Sequence, residues 1–384
     1  MNRVSGPVCL DPCLFACARS FMYHNPMKVL IALDDVNGGG TEHAALQWIR
    51  LCHREEFDVA VCTLYGLGEL EQNYAAVGCP VHFFDVKKVG YFKAARALKR
   101  LLWEQRPDAI VCVSGGTRAL VPWLAKRAGV PARILYFANP KIMEDRRVHY
   151  FQRLQVMFAT RFQACSREVA ANIKELYAAD PVDLILNGVD MRRFPVAEKP
   201  NHNGRVRILT IGSYRVAKNH EEKIRIAAHL ESTGLDFVIQ IAGNGTHRAA
   251  FEKHVAVAGL SHRFELLGWR PDIPELLQAA DIFLHTSRYE GHCIAVLEGL
   301  ASGTPCVLYD LVVLDEIDPG RGAFAAVANG DAAAAAQAIL RLTRDREEAR
   351  RLSVCGRELV ATRFPAELSV RAWEDSLKRA VGAE

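Results

Sequence analysis

Two doubly wound α/β domains in tandem are the fold class that this sequence predicts, on three observations. A grammar of strand, glycine-rich turn and helix opens at Met27 ("MKVLIALDDVNGGGTEHAALQWIRLC") and restarts at Val206 ("VRILTIGSYRVAKNHEEKIRIAAHL"). Short, almost wholly apolar runs alternate with helical stretches through both halves, the pattern of parallel strands covered on both faces. At 384 residues the chain is also longer than one core usually grows.

In order along the chain, residues 1–26 read as a poorly ordered extension. Their apolar patch is too short for the core of a secretory signal. Cys9, Cys13 and Cys17 recur every fourth residue and offer three thiolates, but the habit of chain termini favours the extension over a metal site. After Met27 the apolar runs "DVAVCTL", "AIVCVSG", "RILYFA" and "RFQACS" continue the first domain; "FVIQIAG", "FELLG", "DIFLHTS" and "TPCVLYD" continue the second. Between them "NGVDMRRFPVAEKPNHNG", punctuated by Pro195, Pro200 and Gly204, reads as the linker. The expected domains are therefore 27–196 and 197–365, with a last helical segment over 366–384 following Phe364-Pro365.

Bulk properties exclude several classes. Half the residues are hydrophobic and 24% are charged, which is globular rather than disordered. A net charge of +4 without long like-charged runs argues against a nucleic-acid partner. No apolar run approaches the roughly 18 residues of a spanning helix. The eleven cysteines sit mostly alone in apolar runs, as at Cys62, Cys112, Cys165 and Cys306, the habit of reduced buried thiols in a cytoplasmic protein.

Ligands of open α/β sheets bind beyond the carboxyl ends of the strands, so two facing domains place the chemistry in the cleft between them. The stretch "SRYEGHCIAVLEGLASGTP", Ser287 to Pro305, follows such a strand end. Glu290 falls on the loop, and Glu298 falls inside a helix expected from about Cys293 to Gly303. A helix N-terminus suits a diphosphate, whereas carboxylates suit hydroxyls, so a ligand carrying both groups, a nucleotide sugar, fits the stretch. Lys218 and Arg215, on the loop after the second domain's first strand, are placed to neutralise a diphosphate leaving group. Gly243 and Asn244 in "AGNGTH", and Gly39 and Gly40 in "NGGGTE", mark strand ends where backbone can approach a ligand closely. "NGGGTE" does not fit the G-x-G-x-x-G dinucleotide pattern, so no dehydrogenase is implied.

Taken in series, "GGTE", "LILNGVDMRRF", "IGSYRVAKNH", "IAGNG", "LLGWRPDIPELLQAADIFLHTSRYEGHCIAVLEGLASGTPCV" and the closing Phe-Pro helix resemble the retaining glycosyltransferases of family four, from Met27 to the C-terminus. The resemblance implies a GT-B fold, two Rossmann-like domains facing across a cleft with the C-terminal helix crossing back to the first. It also implies metal-independent, retaining transfer of a sugar from a nucleotide-diphosphate sugar, a UDP-sugar being favoured, with no cofactor. By it Glu298 holds the ribose hydroxyls, Glu290 sits by the sugar ring, the backbone of Cys293, Ile294 and Ala295 meets sugar hydroxyls and phosphate, Lys218 binds phosphate, and Gly40 lies in the N-terminal glycine loop. Glu290 and Lys218 are the expected catalytic pair.

Three departures stand out. Ser213 replaces the arginine that usually follows the glycine at Gly212, which leaves open whether Arg215 substitutes for it. Glu290-Gly291-His292-Cys293 replaces Glu-Gly-Phe-Gly, from which a narrower or differently polar sugar pocket is expected. The acceptor-side histidine of many members is missing from "VCVSGGTRA" and "LYFANPKIM", where Ser114 or Asn139 is expected to occupy its space. These departures keep two alternatives open, a sugar-nucleotide epimerase on the same scaffold and a catalytically weak nucleotide-sugar-binding homologue.

The acceptor is expected to be a glycan, a lipid-linked sugar or a small molecule, in cell-surface polysaccharide or glycolipid synthesis. Two segments rich in basic and aromatic residues, Lys87 to Arg106 and Lys141 to Phe162, read equally as surface helices covering a sheet and as contacts with an anionic bilayer. The second reading would put the protein at the inner face of the plasma membrane.

Overall fold

The structure, a computed structural model, describes residues 25–140, 156–195 and 204–382. Cys9, Cys13 and Cys17, and most of the segment beginning at Lys141, lie outside the described residues.

The described strands form two parallel sheets. The first has the order β3-β2-β1-β4-β5-β6-β7, from β1 (Met27–Leu33), β2 (Phe57–Thr63), β3 (Val81–Phe83), β4 (Ala109–Cys112), β5 (Ala132–Phe137), β6 (Arg161–Ala164) and β7 (Val182–Leu184). The second has the order β10-β9-β8-β11-β12-β13, from β8 (Val206–Ile211), β9 (Phe237–Ala242), β10 (Phe264–Gly268), β11 (Ile282–His285), β12 (Cys306–Tyr309) and β13 (Ala325–Val327). Helices cover both faces. Their apolar stripes and the strands' continuous apolar runs build one core in the first domain and two, one on each face of the sheet, in the second. Cys62, Cys112, Cys165 and Cys306 are free thiols inside these cores.

Strand order reverses direction between β1 and β4 in one sheet and between β8 and β11 in the other. These are the switch points at which a crevice opens. The loops that follow β1, β4, β8 and β11 carry the glycine loop, Ser114, Lys218 and Glu290 respectively, so topology alone gathers most of the expected site.

Two connections run between the domains, and they pair with each other. The N–H of Val189 donates to Phe364 O at 2.8 Å, and that of Ala366 to Val189 O at 3.0 Å. Gly188 permits this approach, since a Cβ there would lie 2.7 Å from the carbonyl oxygen of Pro365. Ile185 still belongs to the first core, whereas Val189 and Phe194 are already buried in the second. The crossing therefore comes ahead of the boundary expected at 196, because apolar side chains before the proline-rich stretch find a core to enter.

The last helix, Ala366–Val381, returns to the first domain as expected. Trp373 stacks between Trp48 and Tyr136, with ring centroids 5.5 and 5.3 Å away. Glu374 accepts from the His53 N–H at 3.0 Å, and Ser376 accepts from Gln163 Nε2 at 2.9 Å. This helix completes the first domain's core and ties its position to the hinge at Phe364.

Candidate active site

The loop after β11 turns through Glu290 and Gly291 into the helix Ile294–Ala301. Gly291 is pressed against the first domain, where an added Cβ would fall 1.8 Å from Ala138 O and 2.7 Å from Cys165 Sγ. No larger residue fits there without parting the domains. Cys293 caps the helix with φ 35°, a left-handed conformation that costs a non-glycine residue energy, at the position where the related motif ends in glycine.

Glu290 is the hub of the site. Its Oε1 accepts from Lys218 Nζ at 2.6 Å and lies 3.2 Å from His285 Nε2, which also meets Ser287 Oγ at 3.1 Å. Burial alone would raise the carboxyl's pKa. Lys218 and His285 overcome it and hold the group well below the usual carboxylate range. Burial likewise works against the Lys218 ammonium, but Glu290 holds its pKa above the ordinary lysine value. His285 is pushed down by burial more than Glu290 lifts it. At neutral pH the cluster is a carboxylate and an ammonium beside a neutral imidazole.

Among the described residues, His285, Glu290 and Cys293 bring ligand atoms within 4.8 Å of one another. Lys218 already occupies the carboxylate, and burial pushes the Cys293 thiol well above its ordinary pKa. This donor set suits a lysine pair better than a cation.

The glycine loop faces this helix across the cleft. A Cβ on Gly40 would lie 3.7 Å from Ile294 Cδ1, and one on Gly38 would strike the Trp269 ring at 2.0 Å. The first turns of the helices Gly40–Leu51 and Ile294–Ala301 thus meet, and each helix start carries amides that have no acceptor within its own helix. Gly39 is the N-cap of the first of these helices, with the Glu42 carboxylate against it.

Charges line both walls. Burial raises Glu42 to about 7, with Asp35 adding to the shift and Arg215 opposing it. Burial also raises Glu298 to about 7 against the influence of Arg193. Arg193 also acts, after burial, to push His43 down to about 4. Glu42, His43, Arg193, Trp269 and His285 were not singled out from sequence. A histidine at the carboxyl end of a parallel strand, and a glutamate and histidine directly after a glycine loop, were the available signals.

Gly243 packs against backbone, where its Cβ would fall 2.2 Å from Gly212 O, and Asn244 O accepts from the Tyr214 N–H at 3.0 Å. Both brace the loop that leads to Arg215 and Lys218. His292 points away from the cleft. It is 2% exposed, its Nδ1 accepts from the Asn187 N–H at 3.1 Å, and it meets the Phe364 ring edge-on at 5.4 Å. It thus touches both of the connections that run between the domains.

On the acceptor side, the Ser114 Oγ is buried without a partner among the described residues. Asn139 is exposed beside Ala138. Asp34 joins them. Its Oδ2 accepts from the Gly116 N–H at 3.1 Å while Oδ1 stays buried and unpaired, and burial, outweighing that bond, raises its pKa.

Two facing doubly wound domains with a charge-lined cleft and a returning C-terminal helix are the GT-B architecture. Family models match both halves: "Glycosyl transferase 4-like domain" over residues 39–188 and "Glycosyl transferases group 1" over residues 193–359. The chain belongs to the group 1 glycosyltransferases, and family four fits its first domain. It is 24% identical to EpsF of Bacillus subtilis over 322 residues, 78% of this chain and 83% of EpsF. It is 27% identical over 296 residues to the UDP-Gal:alpha-D-GlcNAc-diphosphoundecaprenol alpha-1,3-galactosyltransferase of Escherichia coli, 71% and 76% of the two chains. Among solved structures, HepE of Anabaena in complex with UDP and glucose superimposes with a TM-score of 0.79 at 16% identity, covering 92% of this chain and 99% of HepE.

Proposed function

We propose that this glycosyltransferase moves a sugar from a UDP-sugar to a glycan or lipid-linked acceptor with retention of anomeric configuration and without a metal, in the synthesis of a cell-surface polysaccharide or glycolipid. The observation that carries this reading is the contact between the helix starts at Gly40 and Ile294, next to the loop that holds the Lys218–Glu290 ion pair. In this reading the diphosphate lies against these helix N-termini. Lys218 and Arg215 supply the positive charge that a metal would otherwise bring to the departing phosphate. Glu298 accepts from the ribose hydroxyls.

Glu290 is bound on one oxygen by Lys218 and His285. A carboxylate so engaged is a poor nucleophile but a good acceptor for a sugar hydroxyl. That supports front-face transfer, in which the departing diphosphate removes the acceptor's proton while the protein orients both substrates. UDP is favoured because the E. coli relative is named for UDP-Gal and the HepE crystals contain UDP. The same relative's diphosphoundecaprenol acceptor supports a lipid-linked one here. We assign Asp34, Ser114 and Asn139 to the acceptor's side of the cleft.

A surface for the bilayer accompanies this acceptor. The helix Tyr91–Gln105 buries Ala94, Leu98, Leu101 and Leu102. On the opposite face Phe92, Arg96, Lys99 and Trp103 fall in one line at helical spacing, with Phe92 87% and Trp103 66% exposed. Aromatic and basic residues on the face away from the core suit an anionic interface, and a membrane-bound acceptor would then approach the cleft from the first domain. No described helix is long and apolar enough to cross a membrane.

A thermal-shift panel of UDP-, GDP- and ADP-sugars tests the donor, since only a bound nucleotide raises the melting temperature. Stabilisation by UDP-sugars alone is expected; a flat panel would reject the donor reading. Proton NMR of the transferred sugar then decides retention.

A further inference from the structure

Lys223 lies in the first turn of the helix Glu221–Glu231 and is 1% exposed, a rare position for an ammonium. Its Nζ donates to Thr286 Oγ1 at 2.7 Å and to the Lys218 carbonyl at 3.4 Å. Thr286 Oγ1 in turn donates to Asn219 O at 3.3 Å, and the Arg288 N–H donates to Ala217 O at 2.8 Å. These bonds lace the turn that carries Lys218 to the loop that carries Glu290. Glu222, the carboxylate nearest in sequence, is engaged elsewhere, accepting from Tyr309 Oη at 2.8 Å and Arg225 Nη1 at 3.0 Å. A buried cation with only neutral acceptors costs stability that an aliphatic side chain would not.

We infer that Lys223 is a positioning residue for the donor diphosphate: it binds the Lys218 turn to the Glu290 loop and sets a second, buried positive charge behind Lys218. This rests on the donor reading above and goes beyond it, because Lys223 touches no substrate. The charged and titratable groups that face it are Lys218 from the turn, His220 at its own helix N-cap, Glu222 on its helix and His285 from β11. Burial first, then Lys218, bring its ammonium down to about 7, with Glu222 opposing. An anion arriving at Lys218 shifts the balance back towards the charged form. Lys223 then takes up a proton as the diphosphate binds, and UDP affinity falls as pH rises above 7.

Titration calorimetry of UDP at pH 7.5 in HEPES and in Tris, whose ionisation heats differ, measures that proton. UDP's own ionisation cancels between the full-length protein and Lys223→Met, in which methionine fills the same volume without charge. The expected result is at least fivefold weaker UDP binding by Lys223→Met and the loss of a measurable fraction of a proton taken up, with no lower melting temperature. Thr286→Val, which keeps the ammonium but removes its short hydrogen bond, should weaken UDP by a smaller factor. Wild-type affinity and proton count in both variants would overturn the inference while leaving the donor site intact. Failure of the wild-type protein to bind UDP would overturn the donor reading and this inference with it.

Discussion

Lys218 Nζ stands 2.6 Å from Glu290 Oε1, so the cation expected to meet phosphate is held by the carboxylate expected to meet sugar. The pair is 25% and 11% exposed at its two side chains, screened enough from water for each charge to depend on the other. A diphosphate entering the cleft competes with Glu290 for Lys218. Removing Lys218 should lower turnover by about one hundredfold or more, the order found when a positioned charge donor is lost. Glu290→Gln should separate binding from chemistry, with UDP bound as well as or better than by the wild type and turnover at least tenfold lower. Steady-state kinetics beside UDP titration reads both.

Glu298 brings a pH dependence of opposite sign to that of Lys223. Its pKa of about 7 lies above the ordinary 4.5, so the folded protein holds this proton more tightly than the unfolded chain. Its contribution to stability falls as pH rises from 4.5 through 7 and is flat above. Hydroxyls donating to the ionised form favour it, so UDP affinity should weaken as pH drops below 7. Glu298→Gln should remove that acid limb from a plot of affinity against pH, leaving only a decline above neutrality.

His292 should matter to the hinge and not to the donor. His292→Ala leaves the Asn187 N–H without its acceptor and a hole beside Phe364, a cost of about 1–3 kcal/mol. A lower melting temperature with UDP affinity within threefold of wild type is expected. A large loss of UDP affinity with an unchanged melting temperature would return His292 to the sugar pocket.

The outward line on the helix Tyr91–Gln105 carries its own test. Phe92→Glu combined with Trp103→Glu places two negative charges where aromatic rings now stand, opposite the buried face. Sedimentation with phosphatidylglycerol vesicles at low salt should fall sharply, while UDP binding stays the same. Equal sedimentation of the variant would show that the bilayer meets another face, or none.

What could be read beforehand, and what could not, follows the physics of each element. Ten strands were legible because both their faces are covered and their sequences are nearly all apolar. The three missed, β3, β7 and β13, are three-residue edge strands paired on one side only, too short for any hydrophobic period to declare itself. Glu290, Glu298 and Lys218 could be placed because switch-point loops follow from strand order. The ion pair between two of them could not, since it joins residues 72 apart in sequence. The partners of His292 could not be read from its adjacency to Glu290, since its side chain meets Asn187 and Phe364 on the interdomain connections. Lys223 carried a signal, a charged residue at an apolar position of a helix, but only Thr286 and the Lys218 carbonyl show what it holds.

The placement of the diphosphate between the glycine loop and the helix Ile294–Ala301 is tested most directly by Gly40→Val. That change alters no charge and fills the space in which a Cβ would already stand 3.7 Å from Ile294 Cδ1. Calorimetric titration of UDP should show binding weakened at least tenfold with the melting temperature unchanged. Wild-type affinity in that variant would contradict the site.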